Sequence, residues 1–154
     1  MPLAEPTLTA FSNPFLRYFV ATRPAFLTVT LFSCLIGLAT AYYSGIELRL
    51  TTAVMTITFG LVAHAGVNAL NDYYDALNGA DAANSERVFP YTGGSRFIQN
   101  GVLTAAETAA FGFSLMAMVV LAGLWLAWMS APGLIWIGAA GQFIGWPYSA
   151  PPLK

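Results

Sequence analysis

All three aspartates of this chain follow one long apolar run. In "NALNDYYDALNGAD", residues 68–81, Asp72 and Asp75 lie three apart and Asp81 follows beyond Asn78-Gly79. On a helix, His64, Asn68, Asn71, Asp72 and Asp75 recur at steps of three or four and so share one face. Carboxylates at i and i+3, with amide oxygens beside them, are the hard ligands that Mg²⁺ prefers. That ion keeps waters and completes its shell with substrate phosphates. The pattern therefore suits a metal-bound phosphate or diphosphate better than an ion caged wholly by protein. The plain alternative is a set of acids solvated where a helix meets the interface. Three acids and two asparagines at helical spacing argue against it. His64 reads differently, as a packed and hydrogen-bonded residue within the helix, and is left out of the metal site.

A loop supplies the opposite charge. "YTGGSRFIQNG", residues 91–101, offers consecutive small residues whose N–H groups can face an anion, followed by Arg96. A guanidinium matches phosphate oxygens in bidentate fashion, so Arg96 on the same membrane face as the acids reads as a diphosphate clamp. Arg87 reads as a solvated loop charge, partnered or not with Glu86.

Membrane-crossing helices must position these groups. The chain is 57% hydrophobic and only 8% charged, far from the roughly 25% charged of soluble domains. Uncharged stretches of 23, 22 and 46 residues separate Arg23 from Glu47, Arg49 from Asp72, and Glu107 from Lys154. About 20 apolar residues cross the hydrocarbon layer, so the stretches fit one, one and two crossings. The expected fold is an all-α, polytopic transmembrane bundle with spans at about 25–43, 51–77, 104–129 and 134–148. Residues 1–24 form an interfacial segment with a short helix opened by Asn13-Pro14. Residues 78–103 form a polar loop, and "TAAE", residues 104–107, reads as a capping box.

Four spans put Arg17, Arg23, Arg87, Arg96 and Lys154 on one side and Arg49 on the other. The positive-inside rule then makes the aspartate side cytoplasmic. The expected location is the inner, cytoplasmic membrane. No basic patch suggests nucleic acid as a partner. Cys34 is the single cysteine and lies within the first span, so no disulfide framework exists.

"NDYYDALNGAD", "YTGGSRFIQNGVLT" and "YSAPPLK", with "ATRPAFL" at the first span's entrance, occur in this order. Together they resemble the UbiA superfamily of intramembrane aromatic prenyltransferases, and within it the menaquinone branch. The resemblance implies a Mg²⁺-dependent transfer of a polyprenyl group from polyprenyl diphosphate to an aromatic acceptor such as 1,4-dihydroxy-2-naphthoate, within the lipid bilayer. It implies metal ligands at Asp72, Asp75 and Asp81, and substrate contacts at Asn68, Asn71, Arg96, Tyr148 and Lys154. Asp72, Asp75 and Arg96 would carry the catalysis.

Two departures stand out. Gly79 occupies the place where many members carry a further aspartate, which leaves Asp81 as its substitute. Members also have about nine spans and a second aspartate motif, so residues 25–154 are expected to be the N-terminal half of a larger bundle. Half a site is not expected to catalyse transfer alone. The rival readings are a small membrane transporter and a non-catalytic membrane subunit. Against the transporter, none of the acids lies at mid-membrane depth, where carriers commonly bind substrate.

Overall fold

Asn13 opens the first helix by accepting the Phe15 N–H at 2.9 Å on its side-chain oxygen, with Pro14 behind it. The computed structural model describes residues 4–145 and 150, and every regular element among them is helical. The order is α1 (Pro14–Ala21), α2 (Pro24–Tyr43), α3 (Leu50–Asn78), α4 (Ala80–Ala83), α5 (Ala105–Met129) and α6 (Leu134–Gly145). Between α1 and α2 the backbone turns at Arg23, whose φ of 58° is unusual for a side chain of that size. Pro24 then restarts the helix. The capping box of α5 forms as its sequence requires, Thr104 and Glu107 each accepting from the other's backbone N–H.

Helices α2, α3 and α5 are long and apolar enough to cross a membrane. The fourth apolar helix, α6, covers 12 described residues, about 18 Å at 1.5 Å per residue against a hydrocarbon layer of roughly 30 Å. The crossing expected over 134–148 is therefore represented by a shorter helix, and its last residues lie outside the described ones. α3 is central, packing against both α2 and α5, with α6 on α5.

Small residues set the α3–α5 approach. A Cβ added to Gly112 of α5 would meet the Leu70 side chain at 2.8 Å and its backbone nitrogen at 3.2 Å. One added to Gly66 of α3 would meet Met116 Sδ at 2.8 Å. In lipid, where water drives no helix together, such close backbone contact is what holds neighbours. Polar links reinforce the α2 side: Thr30 Oγ1 and His64 Nδ1 lie 2.8 Å apart, and Asn68 Nδ2 donates to the Thr22 carbonyl at 2.9 Å. His64 is thus the packed, hydrogen-bonded residue its sequence position implies.

The segment between α3 and α5 differs from a plain polar loop. α3 stops at Gly79, in the left-handed conformation with φ 77°, and α4 begins at once, so Asp81 is helical and buried. Further on, Phe97, Val102 and Leu103 bury against Ala21 of α1, with Phe11, Tyr18 and Val20 around them. The loop is thereby clamped onto the interfacial segment.

Gly112→Ala should cost about 1–3 kcal/mol, the usual range for overpacking, while Gly123→Ala, which meets nothing within 4 Å, is tolerated. Thermal unfolding of the two variants in detergent would separate these outcomes, and equal midpoints would remove the close-packing argument.

Candidate functional site

A glycine sits between two aspartates. Asp72, 3% exposed at the end of α3, and Asp81, 5% exposed on α4, converge on Gly94 of the loop. A Cβ at Gly94 would overlap Asp81 Oδ2 and come 3.0 Å from Asp72 Oδ1, and the backbone there has φ 71°. Only glycine meets both demands. The next residue closes the contact: the Ser95 N–H points at both Asp72 oxygens, 3.1 and 3.3 Å away. Asp81 Oδ2 accepts from Gln99 Nε2 at 3.3 Å.

Arg96 follows with φ 65°, a second large side chain in the left-handed region. That turn buries its guanidinium, leaving the residue 9% exposed, and Nη1 donates to the Asp81 backbone carbonyl at 2.8 Å. The guanidinium reaches the acid's main chain rather than its carboxylate. Burial pushes the Asp81 carboxyl above the ordinary carboxylate range, while Arg96, Arg23 and the Gln99 hydrogen bond pull the other way. Burial wins.

The structure thus brings Asp72, Asp81 and Arg96 to one place. Asp75 lies half-buried about one turn beyond Asp72, and Asn71 is half-buried beside it. Among the described residues no three acids, histidines or cysteines lie close enough to hold a metal ion together. Asp75 therefore does not join Asp72 and Asp81 in a three-acid cage. The Asn68 amide nitrogen is committed to the Thr22 carbonyl. Tyr148 and Lys154 lie outside the described residues. Arg87 is not the solvated charge its loop position implies: its Nε donates to Glu5 Oε1 at 2.8 Å, 82 residues away in sequence.

Arg23, which the sequence offers as an orienting charge and within "ATRPAFL", also lies in this region. Its guanidinium lies 4.5 Å from the Phe26 ring centroid, Nη2 reaches the Pro90 carbonyl at 3.4 Å, and its charge acts on Asp81. It lines a cavity of about 120 Å³ with Phe26, Phe89, Pro90, Gly94 and Ser95. The signal available was its place in "ATRPAFL", immediately before a span. A larger cavity of about 510 Å³ lies between α3, α5 and α6, walled by Gly60, Val67, Met116, Gly138 and Gln142 among others. Val67 is little more than one helical turn below Asn71, so this mostly apolar space begins just beneath the acids.

Comparison with known families decides the matter. The family model described as the UbiA prenyltransferase family matches residues 30–154. The chain belongs to that family. Over 99 residues, 63% of its length, it is 36% identical to the 1,4-dihydroxy-2-naphthoate octaprenyltransferase of Mycobacterium tuberculosis. The aligned segment covers 31% of that relative's length. No solved structure matches the chain.

Asp81→Asn should leave the fold as stable or raise its unfolding midpoint near pH 7. The raised value means that ionising the buried acid costs stability as pH rises through it. Asparagine removes that cost and keeps a side-chain oxygen for Gln99. The gain should shrink as pH falls through the raised value, where the wild-type acid is already neutral. Thermal scans in detergent at several pH values test this, and a destabilised variant at pH 7 would contradict it.

Proposed function

We infer that this chain supplies the diphosphate-binding part of a transferase that moves a polyprenyl group from polyprenyl diphosphate to an aromatic acceptor. The acceptor class is 1,4-dihydroxy-2-naphthoate, by likeness to the mycobacterial relative. One observation carries the reading: in a member of this family, two buried carboxylates face each other across a glycine, with a buried arginine fixed to the Asp81 main-chain carbonyl.

The donor set supports a divalent ion held jointly by protein and ligand. Asp72 and Asp81 offer hard oxygens in a cradle that a single Cβ would fill. Two carboxylates are too few to enclose an ion, which is the manner in which Mg²⁺ binds beside phosphates. Asp72 and Asp81 would hold it, with Asp75 reaching it through water. Bound Mg²⁺ would neutralise the diphosphate as it departs. Arg96 takes the remaining diphosphate oxygens through its planar fork. Asn68, Asn71, Tyr148 and Lys154 remain the proposed further substrate contacts.

The reaction breaks the allylic C–O bond, releases diphosphate, forms a bond from the prenyl carbon to the aromatic ring and returns the ring proton to solvent. Fixed charges around a leaving group stabilise the separation of charge without reorganising. The apolar space below Asn71 suits the prenyl chain and keeps water from the reacting carbon. Residues 25–154 serve as the partial membrane domain and residues 1–24 as its interfacial segment, with the site on the cytoplasmic face of the inner membrane.

Farnesyl diphosphate binding to the chain in lipid nanodiscs, followed by calorimetry, tests the reading. Removing Mg²⁺ with EDTA should weaken binding at least about 10-fold, and Asp72→Asn should do the same with Mg²⁺ present, since each deletes a charge-assisted contact worth about 1.5–3 kcal/mol. Binding that is equally tight with EDTA and in the variant would overturn the metal-diphosphate assignment.

A further inference from the structure

Glu5 is an acid to which the catalytic reading gives no role. Its Oε1 accepts from Arg87 Nε at 2.8 Å and its Oε2 from Asn100 Nδ2 at 3.2 Å. Arg96 Nε lies 3.8 Å from the same Oε2, too far for a hydrogen bond. That nitrogen is buried and has no other acceptor. The guanidinium therefore leaves a desolvated donor unmade, which costs stability. Arg87 is fixed on its other side by the Asn84 carbonyl at 3.2 Å.

A two-oxygen anion thus binds one guanidinium and an amide and lies against a second guanidinium, Arg96, whose Nη1 donates to the Asp81 carbonyl. The anion is ionised at neutral pH, because Arg87 and Asn100 hold its carboxyl below the usual range. Carboxylate and phosphate are the two groups that guanidinium forks match. A carboxylate spans one pair of oxygens, whereas a phosphoryl group presents three, enough to reach the Arg96 nitrogen that Glu5 leaves unsatisfied. Besides Glu5 itself, the segment is held by Asn100 Nδ2 on the Pro6 carbonyl at 3.0 Å, by the Phe11 ring against Phe97 with centroids 5.1 Å apart, and by Arg17 on the Phe11 and Ser12 carbonyls. Glu5 is about one-third exposed, so a ligand can reach it from solvent.

We propose that Arg87, Arg96 and Asn100 form a phosphoryl-anion subsite which Glu5 occupies in the ligand's absence, making residues 4–12 a displaceable strap over the diphosphate site. Arg87 and Asn100 then become ligand contacts alongside Arg96. The assignment rests on the reading of Arg96 as a diphosphate contact, yet it needs no metal. Entry of the anion exchanges one charged pair for another, so displacing the Glu5 carboxylate carries little electrostatic cost.

Inorganic pyrophosphate titrated into the full chain in nanodiscs, with EDTA present throughout, tests this apart from the metal site. Glu5→Gln keeps the side chain's shape and its Asn100 contact but removes the competing charge. It should bind pyrophosphate about two- to five-fold tighter than wild type, the worth of a partly exposed ion pair. Adding Arg87→Gln to Glu5→Gln should erase that gain. In wild type, pyrophosphate should speed exchange of the Phe11 amide, which is bonded to the Thr7 carbonyl at 3.1 Å. Equal or weaker binding by Glu5→Gln, or no binding by either protein, overturns the proposal. Loss of the Mg²⁺-dependent binding of farnesyl diphosphate with the Glu5→Gln gain intact would strike the metal reading alone and leave the subsite standing.

Discussion

The buried carboxylate of Asp72 and the loop amide that satisfies it govern the rest of this architecture. A carboxylate taken out of water at the end of a membrane helix must find donors. On α3 the Asn68 amide nitrogen is spent on the Thr22 carbonyl and does not serve. The Ser95 N–H does. To bring that amide down, the loop must pass over the helix end so closely that position 94 has no room for a Cβ. It must then turn through a left-handed Arg96. The Arg96 side chain is buried by the same descent, and its anchor on the Asp81 carbonyl follows from it. One hydrogen-bonding requirement therefore places an acid pair, a glycine and an arginine together.

Much of this was written locally in the chain. Asn13-Pro14, Asn78-Gly79 and Thr104–Glu107 are capping signals that act within a few residues, and each ends or begins a helix where its chemistry requires. The long apolar stretches mark α2, α3 and α5 for the same reason, since length and composition alone decide a crossing. What was not legible is non-local. Arg87 finds Glu5 across 82 residues, and no spacing rule reaches that far. Asp81 was visible as an acid, but its burial depends on the helix restarting after Gly79, and Asn78 and Gly79 signal only the stop. Arg23 gave no sign beyond its position, because its role depends on a backbone turn unusual for arginine.

The strained turns at Arg23 and Arg96 share a purpose. Both put a long cation close to the acids while directing its hydrogen bonds elsewhere: Arg23 to the Pro90 carbonyl and the Phe26 ring, Arg96 to the Asp81 carbonyl. Unusual backbone conformations of this kind persist only where surrounding packing over-determines them, and they gather at functional sites. The packing here is the Phe97, Val102 and Leu103 cluster against α1. It joins the loop to the interfacial segment, and through Tyr18 against Phe111 it also reaches α5.

Charge arrangement separates a binding site from a structural salt-bridge cluster. Among the described residues the ion pairs run from Glu5 to Arg87 and Arg96, and none joins an arginine to the Asp72 or Asp81 carboxylate. Had the acids and bases simply neutralised each other, the cluster would have no capacity left for a ligand. Held apart by main-chain hydrogen bonds, the two carboxylates retain their pull on a cation and the guanidiniums retain theirs on an anion. A diphosphate with its divalent counter-ion, the proposed ligand, carries both signs at once, and such a separation of charge would have a physical use in binding it.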